Sequence, residues 1–110
     1  MKADIKQKWV DALRSGEYRQ GKEYLQFDGN YCCLGVLCDI AIRDGLLLKV
    51  EHDAGAGWYD YDTATLPDRV REWAGLDSCD PVVAGERLSA WNDNEDKSFE
   101  QIADLIQEHL

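Results

Sequence analysis

A chain of 110 residues is one domain's worth, long enough to bury a core. Its 45 % apolar and 31 % charged residues are the composition of a folded protein and exclude a disordered tail. The formal charge of -10 is unevenly spread: residues 1–22 hold six Lys or Arg and three Asp or Glu, for +3, and the rest carries -13. A body this acidic repels phosphate backbones, so direct nucleic-acid binding is not expected. The plain purpose of such charge is solubility.

Asp4-Ile5-Lys6-Gln7 reads as a capping box opening a first helix, with an apolar stripe at Ile5, Trp9, Ala12 and Leu13 and a stop at Gly16. Glu17 to Gly21 is a polar connection. Lys22 to Phe27 predicts a strand, turned at Asp28-Gly29-Asn30, with Tyr31-Cys32 as a short return.

The longest apolar run follows, from Tyr31 to Ile42, interrupted only by Gly35 and Asp39. It is apolar nearly all round at helical spacing and too short for a membrane span, so it predicts a central helix, Cys33–Asp44, wrapped by protein. Leu46 to Val50 and Trp58 to Tyr61 read as strands joined by a loop from His52 to Gly57. Thr65-Leu66-Pro67 opens a third helix that closes at Gly75, and Val82-Val83 suggests a short strand. Asn92 to Asp96 reads as a polar turn. Ser98-Phe99-Glu100-Gln101 is a second capping box, before a helix carrying Ile102, Ala103, Leu105 and Ile106. The expected fold is a single α+β domain over residues 1–110: a small antiparallel sheet with about four helices around the buried central one.

No apolar signal region follows Met1 and no run is long enough to cross a bilayer, so a cytoplasmic location without membrane contact is expected. In that setting Cys32, Cys33, Cys38 and Cys79 read as reduced thiols. The sharpest catalytic reading is a papain-like or cell-wall-peptidase-like thiol hydrolase. Cys32 or Cys33 would stand at a helix N-terminus that lowers its pKa, with Gln20 as oxyanion donor and His52 as base. His52 lies only nineteen residues after Cys33 and His109 is next to last, so no positioned imidazole is evident and buried filler is the preferred reading of the sulfurs. No cofactor is expected. Nor is a metal site: there is no Cys-x-x-Cys pair, and Asn92 to Asp96 resembles half a calcium loop without the glycine and glutamate such loops need.

A binding surface fits the residues better. Trp58, Asp60 and Asp62 are expected on one face of a strand to meet a ligand while Tyr59 and Tyr61 pack inward, or the reverse. Arg14, Tyr18, Gln20 and Gly21 are expected to converge past the first helix, where polar groups would hold a small molecule, nucleotide-like molecules included. An acidic DNA mimic and a homo-oligomeric assembly role are the alternatives.

Three stretches carry a resemblance. Trp9-x-x-Ala12-Leu13-Arg14-Ser15-Gly16-x-Tyr18-x-Gln20-Gly21, then Cys32-Cys33-Leu34-Gly35-Val36-Leu37-Cys38, then Asn92-Asp93 with Ser98-Phe99-x-x-Ile102-Ala103, resemble small hypothetical proteins of tailed bacteriophages and prophages. The resemblance implies an accessory protein acting inside a bacterial cell. The expected role is binding a host factor or sequestering a small signalling molecule, as in counter-defence.

Overall fold

Cys33–Arg43 (α2) is the helix on which the other elements close: Cys33, Leu34, Val36, Leu37, Cys38 and Ala41 have no exposed surface, and Ile40 has 6 %. The computed structural model describes the chain except Leu47, Lys49, Ala54, Gly55 and Tyr61, and for Val50–Asp53 and Ala56–Trp58 it describes the backbone. Asp44 caps α2 from outside, its N–H donating to the Ile40 carbonyl at 2.9 Å, so the helix ends one residue before the expected bound.

The cover comes from helices Ala3–Ser15 (α1), Asp68–Ala74 (α3), Leu88–Asp93 (α4) and Phe99–His109 (α5); α1, α3 and α4 pack on α2, and α5 packs chiefly on α1. The fold is α+β, with five helices among the described residues. Of the four around α2, α4 takes Leu88–Asp93 and so runs into the stretch expected as a polar turn from Asn92 to Asp96. Leu88 and Ala90 bury its inner side, and Asp80 holds its first turn by accepting the Ser89 N–H at 3.0 Å.

Strands Arg19–Gln20 (β1), Gln26–Phe27 (β2), Asn30–Tyr31 (β3), Val50–Asp53 (β4) and Ala56–Tyr59 (β5) form one sheet in the order β1-β3-β2-β5-β4. Val82–Val83 (β6) and Glu86–Arg87 (β7) make a separate hairpin. The sheet is mixed, not purely antiparallel. After β1 the chain crosses to β2 and returns through Asp28 and Gly29, both at positive φ, so β3 runs parallel beside β1. Of the strand expected at Leu46 to Val50, Val50 opens β4 and Leu46 is tied back to α2 by its N–H on the Ala41 carbonyl, 2.9 Å, while Leu47 and Lys49 lie outside the described residues. His52 to Gly57, expected as a loop, belongs largely to β4 and β5; its centre, Ala54 and Gly55, lies outside the described residues.

The two capping boxes had different fates. Ser98 and Gln101 make theirs, Ser98 Oγ accepting the Gln101 N–H at 3.2 Å and Gln101 Oε1 accepting the Ser98 N–H at 3.0 Å. The Asp4–Gln7 box does not form. The Lys2 N–H is held by the Ala74 carbonyl at 2.9 Å, and this anchor starts α1 at Ala3, with Asp4 already in the first turn. There its charge still suits the positive end of the helix dipole.

Candidate functional site

The helix N-terminus that would activate a thiol is closed off. Cys32 is the N-cap of α2, its Sγ accepting the Gly35 N–H at 3.4 Å, and it is 3 % exposed. Burial pushes its thiol up to about 11 against the smaller lowering by the Gly35 and Leu34 amides. Cys33, whose Sγ faces the Leu88 carbonyl at 3.7 Å, and Cys38 are pushed well above the ordinary thiol range by burial. Desolvation outweighs the dipole, so these three sulfurs stay protonated at neutral pH. Gln20 does not aim at them: its Nε2 donates to Asn92 Oδ1 at 3.0 Å and to the Lys97 carbonyl at 2.8 Å. The His52 side chain lies outside the described residues. We expect iodoacetamide at pH 7.5 to add at most one label, at the half-buried Cys79, as read by intact mass. Labelling of Cys32 or Cys33 in the folded protein would reopen the hydrolase reading.

Arg14, Tyr18, Gln20 and Gly21 do not converge. Arg14 lies on the side of α1 that faces α5 and pairs with Asp104 at 2.6 Å. Gln20 and Gly21 join a knot around Asn92, the one fully buried polar side chain among the described residues. Asn92 Oδ1 accepts from Gln20 and from the Cys33 N–H at 3.3 Å, while Nδ2 donates to the Gly21 carbonyl and to Asp93 Oδ1, both at 2.8 Å. This knot ties β1, α2 and α4 together and is structural. Asn92 and Asp93 belong to α4, not to the expected turn, and no group of three or more His, Cys, Asp or Glu among the described residues is placed to hold a metal ion.

Gln20 lines a small cavity of about 160 Å³ with Lys22, Asn92, Asp96 and Lys97, and Tyr18 lines a separate, roomier one. A groove of about 360 Å³ opens between α1 and α2, floored by Ala12 and Ile40 and walled by the Tyr18 ring. The Tyr18 hydroxyl donates to Asp39, which also accepts from Arg43 Nε at 3.1 Å; the Arg43 guanidinium lies over the Tyr18 ring, 5.7 Å from its centroid. Burial and then the Asp39 bond raise the Tyr18 pKa, so the phenol remains a donor. Arg43 reaches Glu17 at 3.4 Å, and along the rim Lys8 pairs with Asp44 at 2.7 Å. Sequence reasoning missed this network; the signal that could have found it is Asp39, the sole charged residue from Tyr31 to Ile42.

On the sheet, Tyr59 packs inward, 2 % exposed, its hydroxyl donating to Gln26 Oε1 at 3.1 Å. Tyr61 lies outside the described residues. Asp60 and Asp62 are not in register with Trp58, because β5 stops at Tyr59. Asp60 stands in the following turn, 3.5 Å from Arg69, and Asp62 folds back onto Tyr59 through a backbone bridge. Burial and then Asp68 and Asp60 raise the Asp62 pKa. Sequence reasoning missed an exposed pair one strand away: Tyr24 and Phe27, 39 % and 41 % exposed, stack with centroids 5.3 Å apart.

A family model matches the chain over residues 1–110; its description is "Domain of unknown function (DUF8296)". No curated protein matches the chain, and no solved structure does. No described helix is long and apolar enough to cross a membrane.

Proposed function

The chain belongs to that family along residues 1–110, and since the family's description names no chemistry, we propose from the molecule's own surfaces that it is a non-catalytic binding protein that takes a small polar ligand in the α1–α2 groove. The observation that carries this reading is the composition of the groove. It has the volume of a small-molecule site, an apolar floor, an aromatic wall, and donors and acceptors converging on Tyr18. Each cation already has a carboxylate partner, but exposed ion pairs are worth only about 0–1 kcal/mol, so a ligand's groups can exchange with them at little cost.

Lys8 and Arg43 stand against Asp11, Glu17, Asp39 and Asp44, which leaves the groove net negative. Such a balance favours a ligand bearing an amine or hydroxyls beside a planar ring, a nucleoside or an aromatic amine, over a polyphosphate. The phage resemblance supplies the setting: sequestering a small signalling molecule in the bacterial cytoplasm is the accessory, counter-defence role this reading assigns.

A thermal-shift panel of nucleosides, amines, amino acids and nucleoside mono-, di- and triphosphates tests it. A ligand at a hundred times its Kd stabilises by about 2.7 kcal/mol, which lifts Tm by several degrees. We expect one of the nucleosides or amines to do so, polyphosphates to do least, and Arg43→Ala and Tyr18→Ala to abolish the shift. A panel without a stabilising member, or a shift that survives both substitutions, sinks the proposal.

A further inference from the structure

The stacked pair Tyr24 and Phe27 belongs to neither the core nor the groove. The register explains why it is outside. Phe27 pairs with Ala56, and Ala56 with Asp53, so these residues share one face of the sheet; Trp58 and its partner Glu51 hold register positions on that same face. Tyr59, on the alternate position of β5, is buried, which makes the Phe27 face the outer one. Apolar rings are thus kept in water although Leu25 beside them is fully buried.

The charge around the pair is mainly negative, with Arg19 a basic residue in register on the same face through Asn30. From Glu23 to Ile42 there is no Lys or Arg, and from Val50 to Asp68 there is again none, while Glu23, Asp28, Glu51 and Asp53 fall in or beside the strands; Asp60 is already paired with Arg69. Lys22, the nearest basic residue before the pair, is tied up with Asp96. Aromatic rings flanked in the chain by acids such as Glu23 and Asp28 suit guanidinium groups, which stack on the rings and pair with the acids together.

We infer that the outer sheet face, centred on Tyr24 and Phe27, is a docking surface for an arginine-rich segment of a basic protein. This goes beyond the groove and stands without it. Phosphate backbones and anionic membranes are repelled by the same carboxylates. A second copy of the chain would bring like charges together.

Octa-arginine serves as the probe, with octa-lysine and octa-glutamate beside it, titrated into the ¹⁵N-labelled protein. We expect amide shifts centred on residues 23–31 and 56–59, octa-arginine binding more tightly than octa-lysine, and no binding of octa-glutamate. The double variant Tyr24→Ser/Phe27→Ser, which keeps the net charge, is expected to weaken octa-arginine at least about tenfold. Should that variant lose its fold, Glu23→Asn/Asp28→Asn, chosen because asparagine tolerates the positive φ at both positions, is expected to weaken it about threefold or more. Shifts spread evenly over the acidic surface overturn the inference, since they report bulk attraction. So does full affinity in the aromatic variant, which would return the surface to plain charge mimicry, and so does a dimer by light scattering that this variant disperses.

Discussion

Gly35→Ala should cost at least about 3 kcal/mol of stability, and the loss should appear as a Tm drop of more than about 10 °C or as failure to accumulate folded protein. A Cβ at position 35 would sit 1.8 Å from the Leu25 carbonyl oxygen and 2.6 Å from its carbon. Both obstacles are backbone, so no side chain can swing aside to relieve them. Leu25 itself is immobilised: it is fully buried, its N–H donates to the Thr63 carbonyl, and its carbonyl accepts the Cys32 N–H at 3.3 Å. The opposing effect is intrinsic propensity, since alanine favours a helix over glycine by about 1 kcal/mol. Overlap with a fixed backbone wins. Thermal unfolding checks it, and a Gly35→Ala protein as stable as the parent would mean that α2 does not lie against Leu25.

The second large effect is expected at Asn92. Asn92→Ala strands the Gly21 carbonyl and the Cys33 N–H away from water, each at a cost of about 1–3 kcal/mol, and removes two further bonds, so a loss of about 3–4 kcal/mol is expected. Asn92→Asp separates the donor from the acceptor role. The carboxylate can still accept from Cys33 and Gln20, but it cannot donate to Gly21, and it faces Asp93 across what was a 2.8 Å bond. Its folded-state pKa is therefore expected above the unfolded value. The folded state then binds more protons, so this protein should be most stable relative to Asn92→Ala in acid and should lose that advantage as pH rises through the raised pKa. Urea midpoints for the two variants at pH 4 and pH 7 make the comparison. A gap independent of pH would show that the Gly21 bond carries no weight.

Much of this architecture was readable wherever local pattern and burial agree. α2 announces itself by being apolar all round, α5 by a capping box that forms, and the β2–β3 hairpin by Asp28-Gly29, whereas the alternation at Tyr59 left either face free to be the buried one. The misreadings fall where partners are remote or elements too short for a period. β1, two polar residues long, carries no alternation, so neither its existence nor its parallel pairing with β3 could be seen. Asn92 looks like turn chemistry until its bonds to Gln20 and Gly21, 72 and 71 residues away, are known. The groove illustrates the same limit. Tyr18 was legible as a polar aromatic past a helix end, whereas its neighbours Asp39 and Arg43 come from the far side of a core helix. Arg14 was placed by proximity in sequence, and an acid on α5 claimed it.

The pairing of α1 with α5 joins opposite ends of the chain. On a ribosome, Ile5, Trp9 and Leu13 emerge well before Ile102, Ala103 and Ile106 and wait for them. Until those residues clear the exit tunnel the nascent polypeptide carries a tryptophan-bearing stripe without its α5 cover, and that interval is when chaperones would find the molecule.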